Sequence, residues 1–284
     1  MLNWNLIREV GYPKFFYRYL IRQFYKRVLH KDNILQLNQK VSINLPRNSK
    51  FGTELFLKNG FVDWGSEKYL IQYLDKAKSF LDIGANIGYY SLLVSPYCHS
   101  VYAFEPDLRS IAALKQNAQK VDNIQVIQEA VYSKVGEMQF DVSQLPELSR
   151  LNTKSKNPHH SINVKVDTLD NFASKHPDLK VTAIKTDVEG ADTEVLLGGK
   201  NLIKNQQPLI LSEAFPDSRV LQFAKELDYL IFAFIKFKDK SKMHFKPKFI
   251  QITKYPQGFR PKMIFLVPVR LHNQFLQLVE PHKL

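Results

Sequence analysis

The chain has 284 residues, of which 44% are hydrophobic and 24% charged, so it can build the core of an enzyme-sized folded domain and is not of a disordered class. Lysine and arginine number 40 against 27 acidic residues, and the net charge of +13 leaves anionic substrates, nucleic acid and an anionic membrane surface open as partners. The single cysteine, Cys98, excludes an intramolecular disulfide and is interpreted as a small buried apolar residue.

The start of the chain, Met1–Asn5, lacks the order of charged, apolar and small residues that marks a secretory signal. The longest stretch without Asp, Glu, Lys or Arg, Ile83–Phe104, is interrupted by Gly84 and Pro96, so we expect no transmembrane helix there. These features predict a cytoplasmic protein that is at most peripheral to the inner face of the membrane.

A basic and aromatic segment, Tyr12–Lys31, is predicted to be helical. Its cations recur every four residues along one helix face, and a neighbouring stripe is apolar: Lys14, Arg18, Arg22 and Lys26, beside Phe16, Leu20 and Phe24. Such a helix can lie on an anionic membrane or dock against a partner. Alternatively, it packs its apolar stripe on the main domain and keeps its charges in water. With the short, strand-like text that follows, it forms a predicted extension over residues 1–60.

Apolar strands and amphipathic helices alternate through residues 61–284. The helix Ser66–Ala77, with Ser66 as N-cap, precedes predicted strands at Ser79–Ile83, Val101–Glu105, Ile124–Ala130, Thr182–Thr186, Leu209–Ser212, Tyr229–Phe237 and Met263–Val269. Predicted helices between them are Tyr89–Ser95, Leu108–Lys120, Thr193–Lys204 and Ser218–Asp228. This alternation predicts an α/β, Rossmann-like three-layer sandwich around a mostly parallel sheet.

The turn after the first of these strands carries the strongest signal for a ligand. Its acid, glycines and amide follow the pattern Asp-x-Gly-x-Asn-x-Gly: Asp82, Gly84, Asn86 and Gly88. Ligands of open parallel sheets bind beyond the carboxyl ends of the strands, where glycines allow the backbone to approach them. The next strand ends at Glu105, whose carboxylate can accept hydrogen bonds from both hydroxyls of a ribose.

The spacing of this turn excludes the dinucleotide fingerprint Gly-x-Gly-x-x-Gly. A dinucleotide also places its pyrophosphate at the following helix, where the carboxylate of Asp82 would repel it. S-adenosylmethionine has no phosphate and carries a sulfonium and an ammonium group, which Asp82 can attract. The turn therefore favours S-adenosylmethionine over NAD.

Several motifs in order resemble those of the FkbM family of methyltransferases. They are FLDIGANIGYYS at Phe80–Ser91, AFEP at Ala103–Pro106, VDTLD at Val166–Asp170, IKTDVEGA at Ile184–Ala191 and VLLGG at Val195–Gly199. The resemblance implies a class I methyltransferase fold with an antiparallel last strand. It also implies O-methyl transfer to a hydroxyl of a glycan or another natural product, with S-adenosylmethionine as cofactor.

The resemblance further assigns cofactor-binding roles residue by residue. The methionine and ribose part would be lined by Asp82, Gly84, Asn86 and Gly88. Glu105 would hold the ribose, with Pro106 on the adenine side. Glu129 and Ala130 lie where such enzymes read the adenine amino group, although Glu129 is equally interpretable as an exposed loop acid.

Methyl transfer to a hydroxyl requires in-line alignment and removal of a proton. The strand ending at Asp187 and Glu189 lies beside the methyl group in this architecture, so both acids are candidate catalytic residues. The alternative is that one of them caps the following helix. Glu213, at the end of the next strand, faces the same cleft and with Asp187 can form an oxygen-ligand site for Mg²⁺, although two acids are a weak metal signal. His159 and His160 are a candidate base or a solvated loop.

The acceptor is indicated less clearly than the cofactor. The segment Lys236–Lys262 is basic and aromatic, and it is either a lip of the cleft suited to an acidic acceptor or a solvated hairpin. Two other functions stay open: an RNA ribose methyltransferase, which Glu213 at a position usually held by lysine disfavours, and a membrane-surface or scaffold protein with a vestigial nucleotide fold. We expect a small-molecule or glycan acceptor rather than nucleic acid.

Overall fold

The computed structural model describes residues 4–143, 149–151, 161–237, 247–255 and 259–279. Eleven α-helices lie in these residues: α1 Trp4–Val10, α2 Tyr12–Phe24, α3 Lys50–Leu57, α4 Ser66–Gln72, α5 Tyr89–Val94, α6 Leu108–Ala118, α7 Leu169–Lys175, α8 Asp192–Gly198, α9 Lys200–Gln206, α10 Ser218–Glu226 and α11 His272–Leu278. Helix α2 continues as a π-helical turn over Tyr25–Leu29. Over the same described ranges, every helix is too short or too polar to cross a membrane.

The strands of the described chain form three sheets. Their bounds are β1 Asn33–Gln36, β2 Ser42–Leu45, β3 Ser79–Ile83, β4 Val101–Phe104, β5 Ile124–Ile127, β6 Ala130–Val131, β7 Gly136–Asp141, β8 Arg150–Leu151, β9 Ser161–Asp167, β10 Val181–Thr186, β11 Leu209–Ser212, β12 Leu230–Phe237, β13 Lys248–Ile252 and β14 Phe259–Val267. An antiparallel hairpin joins β1 and β2, and β6, β9, β7 and β8 form a small separate sheet.

The central sheet has eight strands in the order β13-β12-β14-β11-β10-β3-β4-β5. The five strands from β11 to β5 are parallel, and β14 inserts antiparallel between β11 and β12. The predicted Rossmann-like architecture with an antiparallel last strand is therefore confirmed. Its order reverses between β3 and β10, so the carboxyl ends of these two strands flank one crevice, as expected for ligand binding in such sheets.

Helices cover both faces of the central sheet and create two hydrophobic cores. Side chains alternate along a strand, so Phe80 of β3 enters one core while its neighbour Leu81 enters the other. Every residue of β3, β10 and β11 is buried. Burial on both faces explains why these strands read as short continuous apolar runs. Cys98 is buried, as predicted, and this burial raises the pKa of its thiol to about 12.

The observed elements differ from the predicted ones at several turns. Gly65, not Ser66, is the N-cap of α4, because the chain enters the helix there with a φ of 108° that a glycine tolerates. The predicted helix Thr193–Lys204 is split into α8 and α9 at Gly199. A Cβ on Gly199 would lie 2.9 Å from the Leu169 side chain, so the break lets α7 approach closely. The text after Asn33, expected to be strand-like throughout, also contains α3, capped by the Ser49 hydroxyl.

The described part of the predicted lip Lys236–Lys262 is mostly sheet. It contains the end of β12, the whole of β13 and the start of β14, and Phe249 of β13 is buried in the core. Strand β13 was not predicted, because cations interrupt its short apolar alternation. It pairs with β12 at the edge of the sheet. Residues 238–246 and 256–258 of this segment, including Phe245, lie outside the described residues.

Helix α2 is held to the body by arginines rather than by its predicted apolar stripe. Arg22 is fully buried and donates to Asn33 Oδ1 at 2.7 Å, Leu45 O at 3.1 Å and Pro46 O at 2.7 Å. The Arg18 guanidinium lies 4.5 Å from the centroid of the Phe56 ring. Packing of the stripe Phe16, Leu20 and Phe24 on the main domain, one of the two alternatives, is therefore wrong: all three side chains are exposed.

Candidate functional site

One cleft lies at the carboxyl ends of β3, β4, β10 and β11. Its lining combines the glycine turn, three strand-end acids and charged residues from α3 and β14. It includes Lys50, Glu54, Asp63, Gly84, Ala85, Asn86, Tyr90, Glu105, Pro106, Glu129, Ala130, Lys185, Asp187, Glu189, Glu213 and Lys262. Most of the sequence-predicted site residues therefore share this cleft. Asp82 and Gly88 do not line it.

The glycine turn brings the backbone of two strands into contact. Gly84 has a φ of 76°, and a Cβ built on it would lie 2.0 Å from the carbonyl oxygen of Asp187. Only glycine permits this approach, since its neighbour is rigid backbone. Gly88 has a φ of 89° and is the N-cap of α5, which places it under the turn rather than in the cleft wall. The two glycines thus shape the site without side chains.

Glu105 lies at the end of β4 with its carboxylate at the cleft. Its Oε2 accepts from the backbone N–H of Asn86 and its Oε1 from that of Asp107, both at 2.8 Å. Burial raises the pKa of Glu105 to about 7, although these two hydrogen bonds favour the ionised form. The residue is therefore oriented by the backbone and ionises near neutrality. A carboxylate in this state can accept hydrogen bonds from a pair of ligand hydroxyls.

Asp82 has a supporting position beneath the cleft. Its side chain is fully buried, Oδ2 accepts a hydrogen bond from the Ser91 hydroxyl, and Oδ1 lies 3.7 Å from Lys185 Nζ. Burial raises the pKa of Asp82. The sequence predicted that this carboxylate attracts the positive end of the cofactor directly. That prediction does not fit the structure, because the side chain does not line the cleft. The acidic residues that do line it are Glu54, Asp63, Glu105, Glu129, Asp187, Glu189 and Glu213.

The far end of the cleft contains the residues expected near the adenine. Pro106 follows Glu105, and Glu129 and Ala130 connect β5 to β6. Apolar side chains from the small sheet, Phe140 and Leu151, complete this wall. An apolar wall with one acid suits a flat nitrogen heterocycle with an amino group.

Three carboxylates meet at the other end of the cleft. One oxygen each of Asp187, Glu189 and Glu213 lies within 4.8 Å of the others. Burial and the Asp187 carboxylate raise the pKa of Glu213 to about 9, so Glu213 is protonated at neutral pH and hydrogen-bonds to Asp187. Burial alone would raise the pKa of Asp187, but the Lys185 charge and the hydrogen bond from Glu213 hold it below its usual value. Asp187 is thus the ionised member of the pair.

Lys185 is a site residue that the sequence reasoning did not single out. It is buried, and its Nζ donates to Gly84 O at 2.9 Å and lies 3.6 Å from Asp187 Oδ2. Burial alone would lower the pKa of this ammonium, but the carboxylates of Asp187 and Asp82 raise it. The signal was available: Lys185 and Asp187 are two residues apart on one strand and so share a face.

A second cation lies on the wall formed by β14. Lys262 Nζ is 3.0 Å from Asp63 Oδ1 and donates to Val62 O at 2.8 Å. Asp63 also accepts a hydrogen bond from the hydroxyl of Tyr90. Lys262 belongs to the predicted lip, so one of its cations does reach the cleft. Lys236 of the same segment instead contacts Glu9 and the ring of Trp64.

His159 and His160 lie outside the described residues. Mg²⁺ as a ligand of Asp187 and Glu213 is compatible with the donor set, since hard divalent cations take carboxylate oxygens. The charge of these two carboxyls is also balanced without a metal, because Glu213 holds a proton and the Lys185 ammonium lies beside Asp187.

The sheet order and the site together define a Rossmann-like methyltransferase class of fold. The family model for the methyltransferase FkbM domain matches residues 82–240. The chain belongs to the FkbM methyltransferase family, as its motifs indicated. No functionally curated protein matches the chain by sequence.

Solved structures of distant proteins share parts of this fold. A methyltransferase FkbM from Methylobacillus flagellatus is 13% identical with a TM-score of 0.43, over 81% of this chain and 56% of its own. An rRNA methylase from Streptococcus thermophilus is 11% identical with a TM-score of 0.40, over 72% of this chain and 94% of its own. M. jannaschii TYW2, solved with AdoMet, is 12% identical with a TM-score of 0.42, over 83% of this chain and 85% of its own.

Proposed function

We propose that the protein is an S-adenosylmethionine-dependent O-methyltransferase that acts on a hydroxyl of a glycan or a related, acidic metabolite. The observation that carries the proposal is the division of the cleft into two ends. Glu105 and the Gly84 turn form a nucleoside-sized end, and the ionised Asp187 lies at the other end beside Glu213. Membership of the FkbM family supports methyl transfer.

The residues present fit the proposed cofactor. The Gly84 turn packs against the backbone of Asp187 and lines the cleft without a side chain, and the Glu105 carboxylate is fixed by two backbone N–H groups. Glu105 would hold the ribose hydroxyls, with Asn86 beside it and Pro106, Glu129 and Ala130 around the adenine. S-adenosylmethionine supplies a methyl carbon that is activated by the adjoining sulfonium.

Asp187 is assigned the role of proton acceptor for the attacking hydroxyl. Its ionised state at neutral pH and its place at the strand end beside the Gly84 turn support this role. Lys185 would hold the Asp187 carboxylate in place through their 3.6 Å ion pair. Glu213, protonated, would orient the other side of that carboxylate, and Glu189 would contact the acceptor.

Charged residues of the cleft lining support the proposed acceptor class. Lys50, Glu54 and Lys262 line the cleft, so an acceptor meets charged groups of both signs rather than an apolar surface. Such a wall suits a molecule with several hydroxyls and a negative group. A fully apolar acceptor would take water from these charged groups without offering them hydrogen bonds.

Calorimetry with S-adenosylmethionine and its product S-adenosylhomocysteine tests the cofactor claim. We expect binding to the full chain and a loss of at least about tenfold in Glu105→Ala, because two charge-assisted hydrogen bonds disappear. Absence of binding by the wild-type protein at millimolar cofactor would contradict the proposal.

Turnover with a panel of acceptors tests the reaction class. Methylated products from hydroxylated, acidic sugars, identified by mass spectrometry, would support the proposal, whereas transfer to nitrogen or carbon alone, or to RNA alone, would contradict it. Assays with EDTA and with added Mg²⁺ or Mn²⁺ decide whether the three carboxylates also use a metal. Retention of full activity in EDTA would assign them to proton transfer alone.

A further inference from the structure

Helix α2 is partly inverted relative to an ordinary surface helix: it buries Phe15, but it also turns two arginines inward and several large apolar side chains outward. Arg18 and Arg22 of α2 face the protein body, whereas Tyr17, Leu20 and Phe24 are 69%, 66% and 50% exposed. A surface helix normally buries its apolar stripe and leaves its cations in water. The inversion is specified by hydrogen bonds from Arg22 to fixed backbone carbonyls, so the apolar face is held outward by the fold.

Exposed apolar side chains are concentrated on this part of the surface. Within the described residues, eight of the eighteen exposed large hydrophobic side chains belong to the first 29 positions: Trp4, Tyr12, Phe16, Tyr17, Leu20, Phe24, Val28 and Leu29. Phe15 of α2 is buried. The exposed positions after it recur with the period of a helix, so they lie on one face. A contiguous patch of this kind on a monomer marks an interaction surface.

The charges on α2 and the π-helical turn are all positive. The sequence has no Asp or Glu between Glu9 and Asp32, and Lys14, Arg27 and Lys31 are exposed beside the patch. Trp, Tyr and Phe between exposed cations are the composition of helices that lie in the headgroup region of a bilayer. The positive charge is complementary to anionic lipid headgroups.

We propose that α1, α2 and the π-helical turn dock the protein on an anionic lipid surface, with Phe16, Leu20 and Phe24 inserted among the headgroups. A second copy of the chain is a poorer occupant, because a two-fold contact would set this patch and its cations against themselves. This docking is independent of the proposed methyl transfer. It would localise the catalytic cleft at a membrane.

Flotation of the full chain with vesicles tests the docking. We expect the protein to float with vesicles in which about a third of the lipid is phosphatidylglycerol, and to float at least about tenfold less with phosphatidylcholine alone. Raising the salt concentration should weaken the binding because it screens the cations. The triple variant Phe16→Ser, Leu20→Gln, Phe24→Gln should lose binding by at least about tenfold, since the inserted apolar area is removed.

A matched control is available at exposed apolar positions elsewhere. The variant Val135→Gln, Val269→Gln, Leu276→Gln changes three exposed side chains away from the N-terminal helices and should bind vesicles as the wild type does. The chain has two tryptophans, so Trp64→Phe leaves Trp4 as the only tryptophan, which can be excited selectively at about 295 nm. Its emission should shift to the blue on anionic vesicles as the ring leaves water.

Three results would overturn the proposal. The first is no flotation of the wild-type protein with anionic vesicles. The second is vesicle binding that the helix variant and the control variant retain equally, or binding without a blue shift of Trp4. The third is a dimer by light scattering that the helix variant dissociates, which would assign the patch to a second copy of the chain.

Discussion

At the scale of single residues, Glu105 makes cofactor affinity depend on pH. Burial raises the pKa of its carboxyl to about 7 in the free protein, and only the ionised form accepts charge-assisted hydrogen bonds from both ribose hydroxyls. Below this pKa the carboxyl must lose a proton to bind, so affinity increases as pH rises. Between pH 6 and 8 we expect about a tenfold gain in S-adenosylhomocysteine affinity by calorimetry.

The control for this prediction is Glu105→Gln, which keeps the shape of the side chain and cannot titrate. Its binding should be weaker and should retain only the pH dependence of other groups, including the amino group of the ligand. Parallel pH profiles for Glu105→Gln and wild type would show that the ionisation of Glu105 does not govern binding.

Asp187 is expected to separate turnover from cofactor binding. In Asp187→Asn the proton acceptor is lost, so kcat should fall by about 100- to 10,000-fold while S-adenosylhomocysteine affinity changes little. Glu213→Gln provides the comparison, because an amide can still donate to the Asp187 carboxylate and its loss of kcat should be much smaller. Equal losses in both variants would contradict the assignment of different roles to the two carboxyls.

Sequence reasoning predicted most of the site because strand ends are regular. Glu105, Asp187 and Glu213 each follow a buried parallel strand, and such ends meet at one edge of a sheet. The sequence pattern does not show how deeply each of these side chains is buried. Asp82 and Lys185 occupy paired positions on β3 and β10, and the Asp82 carboxylate is buried 3.7 Å from the ammonium of Lys185, which lines the cleft.

At the scale of elements, the Gly84 turn fixes the distance between β3 and β10. In Gly84→Ala the new Cβ would meet the Asp187 carbonyl oxygen at 2.0 Å, in addition to the strain of an alanine at a φ of 76°. The strain costs about 1 kcal/mol, and the forced backbone shift should bring the total above about 3 kcal/mol. Denaturant unfolding measures this loss, and calorimetry should show that cofactor binding is lost with it.

Gly190→Ala is the matched control for that turn. Gly190 also has a positive φ, of 93°, but no heavy atom lies within 4 Å of a Cβ built on it. Only the conformational strain remains, and we expect a loss of about 1 kcal/mol. Similar losses of stability in the two variants would mean that the close approach to Asp187 is not what requires glycine at position 84.

The predicted elements were most accurate where a strand is buried on both faces and therefore reads as a continuous apolar run. β3, β10 and β11 were found close to their observed bounds for this reason. The edge strand β13 and the break at Gly199 were missed, because they depend on what packs against them rather than on local pattern. The outward apolar face of α2 was one of two alternatives that the sequence left open, because the pattern does not show which face packs and arginine is seldom buried without an acidic partner.

At the scale of the whole molecule, the segment before residue 60 and the methyltransferase domain share packing. Leu35, Ile43 and Leu55 belong to the same core as Phe80 and Tyr89. The predicted division at residue 60 implies two unfolding units, whereas this common core favours one cooperative transition.

Arg22 connects the outer helices to that common core, and its replacement should release them. In Arg22→Met the acceptors Asn33 Oδ1, Leu45 O and Pro46 O lose a buried donor, which should cost about 3 kcal/mol. Hydrogen exchange should then become faster over residues 12–29 while the central strands keep most of their protection. Arg27→Met changes an exposed arginine of the same segment and should alter stability by less than about 0.5 kcal/mol. If exchange over residues 12–29 is equally fast in both variants, Arg22 does not anchor the apolar face, and the outward orientation of that face must have another cause.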